Sequence, residues 1–177
     1  MKSLIVFFVL AVSVAAIAQP APGILWSRTF GGTGSEVAYS VRQTSDGGYI
    51  IVGTTSSFGT GVDCYLVKTN SLGDTLWTRA FGGAGTQVPL SVQQTSDGGY
   101  VLAGSTGSGW TDDFYLVKTN YQGDIMWSRT FGTPGWDMAQ SVQQTSDGGY
   151  IVAGRCGIYL SGNYDFYLVK TNALGNA

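Results

Sequence analysis

Histidine is absent from the whole chain. That absence removes Ser-His-Asp and Cys-His catalysis and the commonest metal ligand in one stroke. Cysteine is scarce: Cys64 and Cys156 stand alone, without the spacing of a metal site. Charge is scarce too, at 11% Asp, Glu, Lys and Arg, and no basic cluster exists to meet a phosphate backbone, so nucleic acid is not an expected partner. The glycine-rich stretch Phe30-Gly31-Gly32-Thr33-Gly34 lacks the Lys-Ser/Thr ending of a phosphate loop and reads as a turn. The sequence therefore implies no metal and no cofactor.

Long apolar runs are missing everywhere except at the start. There, Lys2, the run from Leu4 to Val14 and the small-x-small Ala16-Ile17-Ala18 have the anatomy of a secretory signal cleaved before Gln19. The run is shorter than the roughly twenty residues a membrane span needs. The expectation is a signal peptide at 1–18, a linker at 19–23 and a domain at 24–177. The product is expected to be secreted, periplasmic or held at the cell surface, with no membrane span after cleavage. Losing Lys2 leaves eight basic against eleven acidic residues, a net charge of −3.

Glycine, at 27 residues, and aromatics, at 13%, are plentiful, which suits many short strands joined by tight turns rather than disorder. The segment Ser-Asp-Gly-Gly-Tyr occurs at 45–49, 96–100 and 146–150, and a longer unit recurs around each copy. A period of about fifty residues is that of propellers and other repeat arrays. In the first unit four runs rich in β-branched and aromatic residues read as strands: Ala38 to Thr44, Tyr49 to Gly53, Cys64 to Asn70 and Leu76 to Phe81. Four strands per unit is the count of a propeller blade. The expected fold is all-β, a β-propeller-type array of about three four-stranded blades with joints near 76 and 126.

The repeated residues read mainly as structure. Asp46-Gly47-Gly48, Asp97-Gly98-Gly99 and Asp147-Gly148-Gly149 are hairpin turns, with Asp as a turn former and Gly supplying positive φ. Asp63, Asp113 and Asp165 sit at the entrance of the Tyr-Leu-Val-Lys strand, suited to accept backbone N–H bonds, and Lys68, Lys118 and Lys170 end it as solvated or partly packed groups. Trp26, Trp77 and Trp127 precede Arg28, Arg79 and Arg129 by two residues, so each pair shares one face of a strand and can stack. Cys64 and Cys156 fall at different repeat positions in the first and third units, which argues for two unpaired thiols.

Comparison between units separates a constant face from a variable one. Ser40–Asp46, Ser91–Asp97 and Ser141–Asp147 are equal in length, whereas Gly53 to Asp63, Gly104 to Asp113 and Gly154 to Asp165 span ten, nine and eleven residues. Loops on a rigid scaffold are where binding groups reside. The variable face carries Phe58, Trp110, Trp136 and Tyr159 as ligand-binding candidates, and Glu36 and Asp137 as carboxylates. Three functions remain open: a non-enzymatic binding or adhesion module for a glycan or surface protein, a structural spacer, or a polysaccharide hydrolase. The last would use Glu36 and Asp137, which must then lie roughly 5 to 10 Å apart. Gln87 at the equivalent position of the middle unit favours a structural polar site.

The unit resembles a widespread class of secreted bacterial repeat proteins whose repeats run SVQQTSDGGYIVAG, then DFYLVKTN, then GD and W. Ser141 to Gly154 and Asp165 to Asn172 carry the likeness almost letter for letter, and it covers residues 24 to 177. The resemblance implies a β-propeller and an exported location. Some members are labelled endoglucanases by similarity alone, and the resemblance carries over no catalytic residue to this chain.

Phase adds one more expectation. Gly73 and Gly123 each precede a Trp by four, so Gly175 places the next Trp two residues past Ala177, while the chain's own first unit opens on the Trp26 strand. That is the phase of an array closed by its own first strand, with twelve strands in three fours. Three blades fall short of the usual four to eight. The array is then part of a longer chain of repeats, a homodimer closing into one ring, or an open arc.

Overall fold

The computed structural model describes residues 23–83, 85–107, 111–158 and 162–177. The segment read as a signal, linker residues 19–22, and the loop aromatics Trp110 and Tyr159 lie outside the described residues. What is described is all-β: eleven antiparallel strands in three sheets, with no helix among the described residues.

The first sheet runs β1 (Glu36–Gln43), β2 (Tyr49–Thr55), β3 (Asp63–Thr69) and β4 (Thr75–Phe81) in sequence order. The second repeats it with β5 (Thr86–Gln94), β6 (Tyr100–Gly107), β7 (Asp113–Thr119) and β8 (Ile125–Phe131). The third has β9 (Met138–Gln144), β10 (Tyr150–Ile158) and β11 (Asn163–Thr171). Each first hairpin turns on the Asp-Gly-Gly segment. Gly47, Gly98 and Gly148 have φ of 79°, 81° and 81°, which side chains with a Cβ resist. The second glycine is needed for space, since a Cβ on Gly48, Gly99 or Gly149 would run into the carbonyl of Thr69, Thr119 or Thr171.

Register repeats as faithfully as sequence. Lys68 faces Trp77 and Lys118 faces Trp127, and the first strand of each sheet shifts register against the second, at Ala38/Ser40, at Pro89/Ser91 and likewise between β9 and β10. Such a bulge bends a strand and increases its twist. The first strands of the first and third sheets, β1 and β9, each pack against β5, and a polar hollow of about 480 Å³ lies among Arg42, Gln43, Gln93, Gln94, Ser141 and Gln143.

The core consists of two joints, not one centre. At the first, Ile50, Val52, Cys64 and Leu66 of the first sheet meet Val92, Tyr100, Leu102 and Val117 of the second. At the second, Val101, Ala103, Phe114 and Leu116 meet Ala139, Val142, Tyr150, Val152 and Val169 of the third. Each sheet thus has a leading face and a trailing face, both apolar. Large and small side chains compensate: Cys64 opposes the strand that carries Pro89, whereas the bulkier Phe114 meets Ala139 and reaches within 2.8 Å of where a Cβ on Gly154 would stand. Cys64 is buried in the first joint and, like Cys156, is a free thiol.

Two expectations need correction. The third sheet has three strands, and residues 24–30 form no strand. The segment lies against the first sheet without a backbone ladder, because β11, whose sequence matches the partners of β4 and β8, is not beside it. Lys68 and Lys118 are also more buried than a strand-end lysine should be, at 4% and 3% exposure. The Asp of the adjoining turn holds each one.

Phe114→Ala should empty the second joint and lower stability by about 3 to 5 kcal/mol, read as a reduced urea midpoint.

Candidate functional site at the variable end

The constant end is a set of ion-paired turns. Lys68 Nζ donates to both Asp46 oxygens at 2.8 and 3.1 Å and to the Thr69 carbonyl at 2.8 Å, while the Gly48 N–H donates to Asp46 at 3.0 Å. Asp97 with Lys118 and Asp147 with Lys170 repeat the arrangement. The Lys68 ammonium, then the Thr44 hydroxyl, pulls the Asp46 carboxyl down to about 2. Burial pushes the Asp97 carboxyl up, but Lys118, Thr95 and Gly99 together outweigh it and also leave it at about 2. Asp147 is held well below the ordinary carboxylate range by Lys170 and Thr145. Both oxygens of each carboxylate accept hydrogen bonds from the adjoining lysine, the arrangement of a tied turn.

At the opposite end the loop that leads into each sheet is tied by the side chain four residues further on. Glu36 accepts the Gly32 N–H at 3.4 Å, Gln87 accepts the Gly83 N–H at 3.2 Å, and Asp137 accepts the Thr133 N–H and, at 3.0 Å, its hydroxyl. Glu36 and Asp137 are therefore the first and third examples of one loop clamp, with the Gln87 clamp of the second sheet between them. Hydrogen bonds from Ser57 and Thr55 hold the Glu36 carboxyl below its ordinary value. Asp137 is fully buried. An Asp from the preceding sheet joins each later clamp at a glycine: Asp63 meets Gln87 at Gly82, and Asp113 meets Asp137 at Gly132. Burial, then the charges of Asp137 and Asp112, pushes the Asp113 carboxyl up.

The aromatic candidates differ in accessibility. Phe58 is 38% exposed, stacks at 5.4 Å on Tyr65, and borders a hollow of about 270 Å³ lined also by Gly59, Thr60, Asp63, Phe81 and Gly82. Trp136 is 8% exposed, and its Nε1–H donates to Asp112 at 3.2 Å. Trp110 and Tyr159 lie outside the described residues.

No family model matches the chain, and no curated protein matches it. Among solved structures, the crystal structure of a protein of unknown function from Bacteroides caccae superposes with a TM-score of 0.47 at 16% identity, over 77% of this chain and 47% of that one. The chain thus spans about half the length of that protein.

One cluster escaped the sequence reading. The Arg155 guanidinium lies 4.6 Å from the Trp136 ring centroid and 4.8 Å from that of Tyr164, and its buried Nε has no hydrogen-bond partner. The signal was a break in the repeat: Arg155 stands where the other units have Thr54 and Ser105, and Trp136 where they have Ser35 and Thr86.

The constant end makes a pH prediction. Asp46 and Asp97 have folded-state values of about 2, below the ~3.9 of an unfolded Asp. Their contribution is therefore complete above about pH 4 and is lost as the pH falls through about 2. The urea midpoint should be flat from about pH 5 upward and fall between about 4 and 2. The fall should be smaller in an Asp46→Asn, Asp97→Asn double variant.

Proposed function

We propose that this chain is an exported binding module, a propeller-like array that grips a glycan through the loops at its variable end and performs no covalent chemistry. The observation that carries the reading is the confinement of variation to one end, where Phe58 stands half open over the hollow that holds Asp63. An aromatic face beside hydrogen-bonding groups in a concavity suits a sugar ring, whose apolar face packs while its hydroxyls donate. Three sheets whose first strands border a polar hollow support the propeller-like description. Export rests on the three-part segment at 1–18.

The hydrolase alternative draws less support. Glycoside hydrolysis wants one carboxyl raised as an acid and another free as base or nucleophile. Glu36 is lowered and committed to Gly32 and Thr55. Asp113 is raised, but its neighbour Asp137 is buried and committed to Thr133.

On a glycan array the mature chain should be retained by a defined set of polysaccharides, and Phe58→Ala should weaken retention about tenfold. Leu72→Ser, an exposed change at the constant end, should leave retention unaltered. Reducing sugar released from those polymers, and lost in a Glu36→Gln, Asp137→Asn variant, would overturn the non-enzymatic reading.

A further inference from the structure

The leading face of the third sheet is uncovered. Phe166 is 102% exposed and Leu168 65%, whereas their equivalents Phe114 and Leu116 are both at 0%. Lys170 has a side chain 44% exposed, against 5% and 4% for Lys68 and Lys118. β11 lacks the fourth strand that covers β3 and β7. Burying such an edge needs both a ladder partner and an apolar face.

The trailing face of the first sheet is open over part of its area in the complementary way, although Val67 on it is buried. Val41 is 55% exposed where Val92 and Val142 are at 1% and 7%. A hollow of about 700 Å³ opens there, lined among others by Phe30, Glu36, Ala38, Gly53 and Tyr65. Of these, Ala38, Gly53 and Tyr65 hold the positions of Ala139, Gly154 and Tyr167, which receive Phe114 at the second joint; the Phe114 and Tyr167 rings lie 4.9 Å apart.

Residues 24–30 already sit where the outer strand of a preceding sheet belongs. Trp26 lies 5.8 Å from Tyr49, as Trp77 lies 5.9 Å from Tyr100 and Trp127 lies 5.6 Å from Tyr150. Arg28 pairs with Asp74 at 3.2 Å, as Arg79 pairs with Asp124 at 3.1 Å. The segment reads ILWSRTF where β8 reads IMWSRTF, and β11 contains the DFYLVKT of β7.

We infer that two copies of this chain close head to tail, the third sheet of each docking on the first sheet of the other. In each joint Phe166 enters the Ala38–Gly53 hollow of the second copy. Residues 24–30 of that copy then pair with β11 in the register of β7 with β8, setting Trp26 opposite Lys170 and Phe30 opposite Phe166. One contact supplies the missing fourth strand and covers both open faces. A polar node is completed as well: Asp165 takes the place of Asp113 beside Glu36, the equivalent of Asp137. Two carboxylates there would repel. Arg155, which shares a hollow of about 520 Å³ with Asp165 and Phe166, supplies the cation between them. Two such joints give a six-sheet ring with twofold symmetry and no open edge. The inference rests on the propeller-like array and is independent of what the loops bind.

Light scattering of the mature chain after gel filtration tests it. The expected result is one species of twice the chain mass that does not grow with concentration. Phe166→Asp, on the leading face, and Val41→Asp, on the trailing face, should each give a monomer whose far-UV circular dichroism is unchanged, both sites being exposed in the single chain. Mixing the two variants should restore a dimer, because each retains the face the other has lost. A monomeric unmutated chain, including one closed by its own residues 24–30, would overturn the inference. So would a series of growing oligomers, or variants that do not restore each other on mixing. Loss of glycan retention with the dimer intact would count against the binding reading alone.

Discussion

Every sheet here is apolar on both faces, and none can cover either face by itself. Ile50, Val52 and Leu66 look one way from the first sheet; Ile51 and Val67 look the other. Burial at about 25 cal/mol per Å² of apolar surface is the largest favourable contribution such strands can collect, so it is realised only where one sheet's leading face meets the next sheet's trailing face. The turns, bulges and ion pairs serve that condition by keeping each sheet in the register and twist that the next one fits. A sheet added or removed therefore changes exposure only at the ends, which is where Val41, Phe166 and Leu168 remain uncovered.

The two ends of the array obey different constraints. At the constant end the Asp-Gly-Gly turn holds a nearly buried ammonium, and the arrangement leaves no freedom for a different residue: the first glycine is set by φ, the second by the neighbouring carbonyl, the Asp by the Lys. Breaking one partner would strand a charge inside the sheet. At the variable end the shared task of the clamp residue is to accept one N–H, which Glu36, Gln87 and Asp137 all do with different side chains. Chemical tolerance there is what leaves the surrounding loops free to differ in length and to carry Phe58 or Arg155.

Much of the architecture was legible because it is periodic. Alternation in Tyr49–Val52 and the Asp-Gly pairs mark strands and turns locally, and the sheet ladders begin or end within two residues of the expected runs. The candidate site was less legible. Glu36 and Asp137 attract attention as isolated carboxylates on a variable face, but only their bonds to Gly32 and Thr133 make them loop clamps. Trp136 and Arg155 are nineteen residues apart in the chain, and nothing in local pattern brings their side chains together.

By itself the sequence determined the repeat, its strand count in the complete units, its hairpin chemistry and the split between a constant and a variable end. These are short-range properties, set by side-chain alternation, backbone φ preferences and segment length. The tertiary structure alone decided which faces are covered, where the lysines lie, and which polar groups converge. It separated β11 from residues 24–30 although their sequences match a pair that lies side beside side in the second sheet. The physical reason is that pairing preference is encoded in a strand, whereas the identity of its partner depends on which chain segment the packed sheets can bring to that edge.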